Sequence, residues 1–120
     1  MIAIVDDDPS ILKALALLLS SRSLQAKTFQ SGSQFLASLA DELPTCLILD
    51  LQMPEMTGLE IQQHLARRGV RIPTIIVTAH DEVEMRARCK SAGAIAYLSK
   101  PVHDELLFAA IDGVVGVASP

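Results

Sequence analysis

Short apolar runs alternate along the chain with segments whose apolar residues recur at helical spacing. Ile2–Val5 is the first run. Asp8-Pro9-Ser10 follows, with Asp8 placed to cap a helix and Pro9 at its first position. Ile11, Leu15, Leu18 and Leu19 then share one helical face. Residues 24–29 alternate instead, with Gln25 and Lys27 polar, which predicts a half-exposed edge strand. Ser31-Gly32-Ser33 breaks the chain before a second helix marked by Phe35, Leu36 and Leu39. A third strand is predicted over residues 45–49. The loop 50–57 leads to a helix with Gly58 near its start, Ile61 and Leu65 on one face, and Gly69 at its end. Residues 74–77 form the fourth strand. Residues 81–92 form a weakly amphipathic helix stopped by Gly93, with Val83 and Met85 as its main apolar anchors. Residues 94–99 form the fifth strand. His103 or Asp104 opens a last helix striped by Leu107, Ala110, Ile111 and Val114.

Strands one, three, four and five are almost unbroken in apolar residues, as expected where helices cover both faces of a parallel sheet. The alternating second strand belongs at an edge. These features predict an α/β fold, a flavodoxin-like doubly wound (βα)5 three-layer sandwich with strand order 2-1-3-4-5. Residues 1–116 make the domain, and 117–120 begin a linker or C-terminal tail, with the chain loosening from Gly113.

Composition narrows the class. Half of the 120 residues are hydrophobic, which argues against disorder. A formal charge of −4 argues against a nucleic-acid surface. No apolar run approaches the about 20 residues of a membrane span, and no leader precedes the first strand, so a cytoplasmic location is expected. Cys46 and Cys89 fit no metal spacing, and Cys46 reads as a buried small hydrophobe.

The polar residues that end the strands are Asp6 and Asp7, Asp50, Thr78 and Lys100. All fall on the carboxyl edge of the sheet, beside the reversal of strand order where sites form. Three carboxylates converging there repel unless a cation joins them, and oxygen ligands suit Mg²⁺. Asp50 can present an oxygen as a nucleophile, and phosphoryl transfer asks chiefly for positioning and charge neutralisation. Singly, each residue has an ordinary explanation as a helix cap, a turn residue, a strand-end hydroxyl or a solvated cation. Their joint placement on one edge favours a site.

These stretches resemble the response-regulator receiver domain of two-component signalling over nearly the whole chain. "IVDDDPSI" is similar to the family's acidic pair, "LILDLQMPEMTGLE" to its phosphoacceptor loop, "PTIIVTAH" to its strand-four hydroxyl and "GAIAYLSKP" to its strand-five aromatic and Lys-Pro. The resemblance implies that Asp50 accepts a phosphoryl group from a phosphohistidine of a sensor histidine kinase. It implies Mg²⁺ (or Mn²⁺) held directly by Asp7 and Asp50, through water by Asp6, and by the backbone carbonyl of Gln52. Lys100 would pair with the phosphoryl group, and Lys100-Pro101 would be cis. Thr78 would swing toward the phosphate with Tyr97 turning inward behind it. The Gln52 side chain, Ala79 and His80 would flank the pocket mouth, and Asp8 would serve as the helix cap. Such a domain catalyses its own phosphoryl transfer and dephosphorylation without being a classical enzyme. It would control a transcription output domain, with possible dimerisation on phosphorylation, and would not itself bind DNA.

An aspartate-nucleophile phosphatase would carry its nucleophile at strand one and a late acidic pair. A flavodoxin-like FMN binder would carry a Gly/Ser/Thr-rich loop where the three Asp stand. A degenerate receiver would lack Asp50, Thr78 or Lys100. The surface around residues 81–92, strand five and the last helix is the expected output face. His64 and His103 are expected on the surface. Leu17 lies off the first helix's apolar face and fits either a docking surface or wider burial against the last helix.

Overall fold

The computed structural model describes the backbone of residues 1–118 and the side chains of residues 1–114. Five strands and five helices alternate: β1 Ile2–Val5, α1 Pro9–Ser20, β2 Ala26–Phe29, α2 Gly32–Ser38, β3 Cys46–Asp50, α3 Gly58–Arg67, β4 Thr74–Thr78, α4 Val83–Ser91, β5 Ala94–Ser99 and α5 Asp104–Ala118. The strands form one sheet in the order β2-β1-β3-β4-β5, each neighbouring pair parallel, as the sequence pattern predicts.

Successive strand residues serve opposite faces. Ile2 and Ile4, Ile48, Ile75 and Val77 pack with Leu12, Leu15 and Leu19 of α1 and Leu107, Phe108 and Ile111 of α5. Ala3 and Val5, Leu47, Leu49 and Ile76 pack with α2 and α3 and with Cys89 of α4. β1 and β3, like β4, are buried throughout, so the strands that lead into Asp6 and end at Asp50 are packed on both faces.

Local chemistry sets the helix ends. The Asp8 side chain accepts from the Ser10 N–H and caps α1, with Pro9 in the first turn. α3 opens with a reciprocal capping box between Thr57 and Glu60. It ends before Gly69, whose φ of +68° is costly for any residue with a Cβ.

Several expectations are corrected. Gly32 and Ser33 do not break the chain; Ser31 caps α2 and both residues lie inside it. β2 begins at Ala26, after Leu24 and Gln25. Asp50 and Thr78 are the last residues of β3 and β4, not residues beyond them. Leu17 is 64% exposed, so wider burial against α5 does not occur. Val83 is 86% exposed and anchors nothing, whereas Cys89 is fully buried and Met85 packs on the core. The reason is spacing: Met85, Cys89 and Ala92 share the inward face of α4 and Val83 lies off it. β5 lies at the second edge, as the order 2-1-3-4-5 requires, but is not covered on both faces: Ile95 is 52% exposed. Helix α5 runs on through Gly113 to Ala118, and the tail residues 119–120 lie outside the described residues.

Candidate functional site

The β1–β3 register pairs Val5 with Leu49, so Asp6 and Asp50 leave the sheet side by side. Asp6 is 3% exposed and Asp50 5% exposed, while Asp7 faces solvent. Carboxylate oxygens of the three lie within 4.8 Å of one another. The Asp8 N–H donates to Asp6 Oδ1 at 2.9 Å and fixes that side chain. Lys100 follows β5, and its backbone N–H donates to the Thr78 carbonyl at 2.7 Å. From there its Nζ reaches Asp6 Oδ2 at 3.0 Å and Asp50 Oδ1 at 3.2 Å. The Lys100-Pro101 peptide is cis.

Burial, reinforced by the charge of Asp6, pushes the Asp50 carboxyl up to about 6; Lys100 and the backbone of Gln52 oppose this without cancelling it. Burial works against the Lys100 ammonium, but its bond to Asp6 and the charge of Asp50 outweigh that and hold it above the usual lysine value. Lys100 therefore stays charged through the pH range in which Asp50 ionises. An all-oxygen donor set with an excess of negative charge fits a hard divalent cation. The convergence of Asp6, Asp7 and Asp50, with carboxylate oxygens within 4.8 Å of one another at the end of the sheet, is the structural sign that the crevice accommodates one.

Thr78 is fully buried, and its hydroxyl is committed to the following loop. It donates to the His80 carbonyl at 3.2 Å and accepts from the His80 N–H at 3.1 Å. Tyr97 packs its ring on the core below α4. Its hydroxyl is buried near the backbone of Glu82 and makes no well-formed hydrogen bond, and burial raises its pKa. Gln52, Ala79 and His80 are exposed at the rim. Gln52 and His80 border a cavity of about 340 Å³ that Met85 and Arg88 also line.

Residues 2–112 match the model of the response regulator receiver domain. The chain belongs to the response-regulator receiver family. This receiver is 42% identical over 111 residues to the response regulator protein TmoT of Ectopseudomonas mendocina, covering 92% of this chain and 50% of that protein. It is 36% identical over 109 residues to the transcriptional regulatory protein FixJ of Rhizobium meliloti, covering 91% and 53%. It thus spans about half the length of these curated relatives. The crystal structure of FixJ-N superposes with a TM-score of 0.87 at 34% identity, covering 94% of this chain and 90% of that one. A receiver from Burkholderia phymatum superposes with a TM-score of 0.84 at 42% identity, covering 96% and 94%. No described helix is long and apolar enough to cross a membrane.

The structure brings Asp6, Asp7, Asp50 and Lys100 together and leaves the Thr78 hydroxyl turned to its loop. Sequence reasoning gave Gly58 no physical role. A Cβ there would lie 2.6 Å from the Asp50 carbonyl oxygen, so only glycine lets α3 start against the end of β3. The Gly58 N–H also donates to the Leu51 carbonyl at 2.8 Å, which folds the loop back under Asp50. Arg86, over the Tyr97 ring and paired with Asp81, was equally silent in the sequence pattern. Its role needs the fold to place α4 against β5.

Proposed function

We propose that this receiver takes a phosphoryl group onto Asp50 from the phosphohistidine of a sensor histidine kinase. The supporting observation is the placement of Asp50: buried, beside Asp6 and Asp7, with Lys100 Nζ 3.2 Å away. An Asp50 oxygen forms the new P–O bond as the P–N bond breaks, and the imidazole of the kinase keeps the electron pair. Asp6, Asp7, Asp50 and the backbone carbonyl of Gln52 would hold Mg²⁺ (or Mn²⁺). When bound, the cation neutralises phosphoryl oxygens and offsets the repulsion among the carboxylates. Lys100 exchanges part of its pairing with Asp50 for a phosphoryl oxygen, keeping Asp6 as its anchor. Thr78 gives up His80 for a stronger, charged acceptor.

The freed loop and the α4 start then shift, and the buried Tyr97 hydroxyl gains a well-formed hydrogen bond. The face formed by α4, β5 and α5 carries the result outward. We take residues 1–116 as the receiver proper. Its output would be transcription through a DNA-binding domain beyond it, with homodimerisation on phosphorylation and a cytoplasmic location. The relatives named as transcriptional regulators support that output. Gln52, Ala79 and His80 at the rim would set water access to the phosphoaspartate.

Incubation with a small acyl phosphate and Mg²⁺, followed by intact mass, tests the acceptor. Wild type should gain one phosphoryl group and Asp50→Asn none. Equal labelling of both would remove Asp50 from the role.

A further inference from the structure

Tyr97 is the single tyrosine of the chain, and its buried hydroxyl makes no well-formed hydrogen bond among the described residues. An unpaired buried hydroxyl destabilises the position that holds it, so other contacts must keep the ring in place. Arg86 lies over the ring with its guanidinium carbon 5.3 Å from the centroid, within range for attraction between a cation and an aromatic face. The same guanidinium pairs with the Asp81 carboxylate. Asp81 belongs to the β4–α4 loop and follows His80, whose N–H and carbonyl both bond the Thr78 hydroxyl. A continuous series of contacts therefore runs from Thr78 through His80, Asp81 and Arg86 to Tyr97.

We propose that Arg86 is a positioning residue: it caps Tyr97 in its inward position and, through Asp81, ties the ring to the loop that Thr78 holds. This rests on the reading of Thr78 and Tyr97 as two halves of one switch. Among the described residues Arg86 pairs with Asp81 and with none of Asp6, Asp7 or Asp50, so it acts through Tyr97 and the loop. When Thr78 leaves His80, the loop is released at one end. Arg86 transmits that shift because one guanidinium serves both the loop carboxylate and the ring. Coupling is reciprocal: a chain with its ring held inward is also easier to phosphorylate.

The absence of tryptophan makes the intrinsic emission of the chain that of Tyr97. Acrylamide quenching then reads its exposure without a label. The Arg86 side chain is 55% exposed, so its replacement leaves the core intact. In Arg86→Gln without donor, the outward population of the ring should rise about threefold to tenfold. The rate of phosphorylation by an acyl phosphate should fall by a similar factor. Arg86→Lys, which keeps a cation but not the planar fork, should recover part of both. Asp81→Asn should move both in the direction of Arg86→Gln by a smaller factor. Quenching and rate equal to wild type in Arg86→Gln would overturn the proposal. So would raised quenching with an unchanged rate, because the ring would then be uncoupled from the site. If wild type takes no label on Asp50, the switch reading falls, and the quenching arm still decides whether Arg86 holds the ring.

Discussion

Ionised Asp50 faces the charge of Asp6 in a buried crevice, with Lys100 opposing the repulsion. Its carboxyl, raised from 3.8 to about 6, gives a definite sign to the pH dependence of stability. Below about pH 4 the group is protonated both folded and unfolded and contributes nothing. Between about 4 and 6 the unfolded chain ionises first, so stability falls as pH rises, and above about 6 the full penalty of at most about 3 kcal/mol is present. Asp50→Asn removes that penalty while Lys100 keeps Asp6 at 3.0 Å. Without divalent cations, the Tm of Asp50→Asn should therefore exceed that of wild type, by a margin that widens from pH 4 to pH 6 and then levels. A margin independent of pH would show that Asp50 is not strained by its surroundings. The charged members of this site were legible because each follows an apolar run at a strand end. Gly58 was not, because its requirement is a backbone oxygen of Asp50 brought close only by folding.

Helices α3 and α4 flank the site and are built to different standards. α3 has the Thr57–Glu60 capping box and buries Leu59, Ile61, Gln62 and Leu65. α4 has Glu82 at its N-cap position with no side-chain cap bond, and buries Cys89 alone. One specific bond ties the two together, from Gln62 Nε2 to the Cys89 carbonyl at 3.1 Å. So α4 is the element that can move at little cost, as the proposed switching of Thr78 and its loop would require. Supplying the missing cap with Glu82→Ser should stabilise α4 by about 0.5–1 kcal/mol. Amide exchange across residues 83–91 should slow by roughly twofold to fivefold while α3 is unchanged. Unaltered exchange in α4 would mean that its start does not limit its opening. The sequence pattern conveyed the weakness of this helix but not its anchor. Val83 is the more apolar residue, yet the inward face is set by the i, i+4 spacing of Met85 and Cys89, and a small thiol there carries little signal of its own. Ser31-Gly32-Ser33 misled for the opposite reason, since a serine that caps a helix looks like one that ends a segment.

At the scale of the whole molecule, the sheet order places the strands of Asp6 and Asp50 at the centre and those of Thr78 and Lys100 on one side. That order was legible from one alternating strand and four apolar ones. The exposure on β5 was not legible, because its residues are as apolar as those of a central strand, and only the edge position that the order gives it leaves Ile95 in solvent. Burying the acidic centre this deeply couples the entire fold to its charge state. A divalent cation that binds only the folded chain stabilises it by mass action, about 2.7 kcal/mol at a hundredfold excess over Kd. That cation competes with protons for Asp50, whose raised pKa of about 6 sets where the competition turns. Mg²⁺ should therefore raise the Tm at about pH 7.5 and raise it much less at about pH 5, where Asp50 is mostly protonated. Asp50→Asn should respond weakly at both values, since one of the three convergent carboxylates is gone. Thermal scans with Mg²⁺ against a chelator, at both pH values and for both proteins, measure the four increments. A wild-type increment equal at the two pH values would place the cation away from Asp50 and detach the metal site from the acceptor.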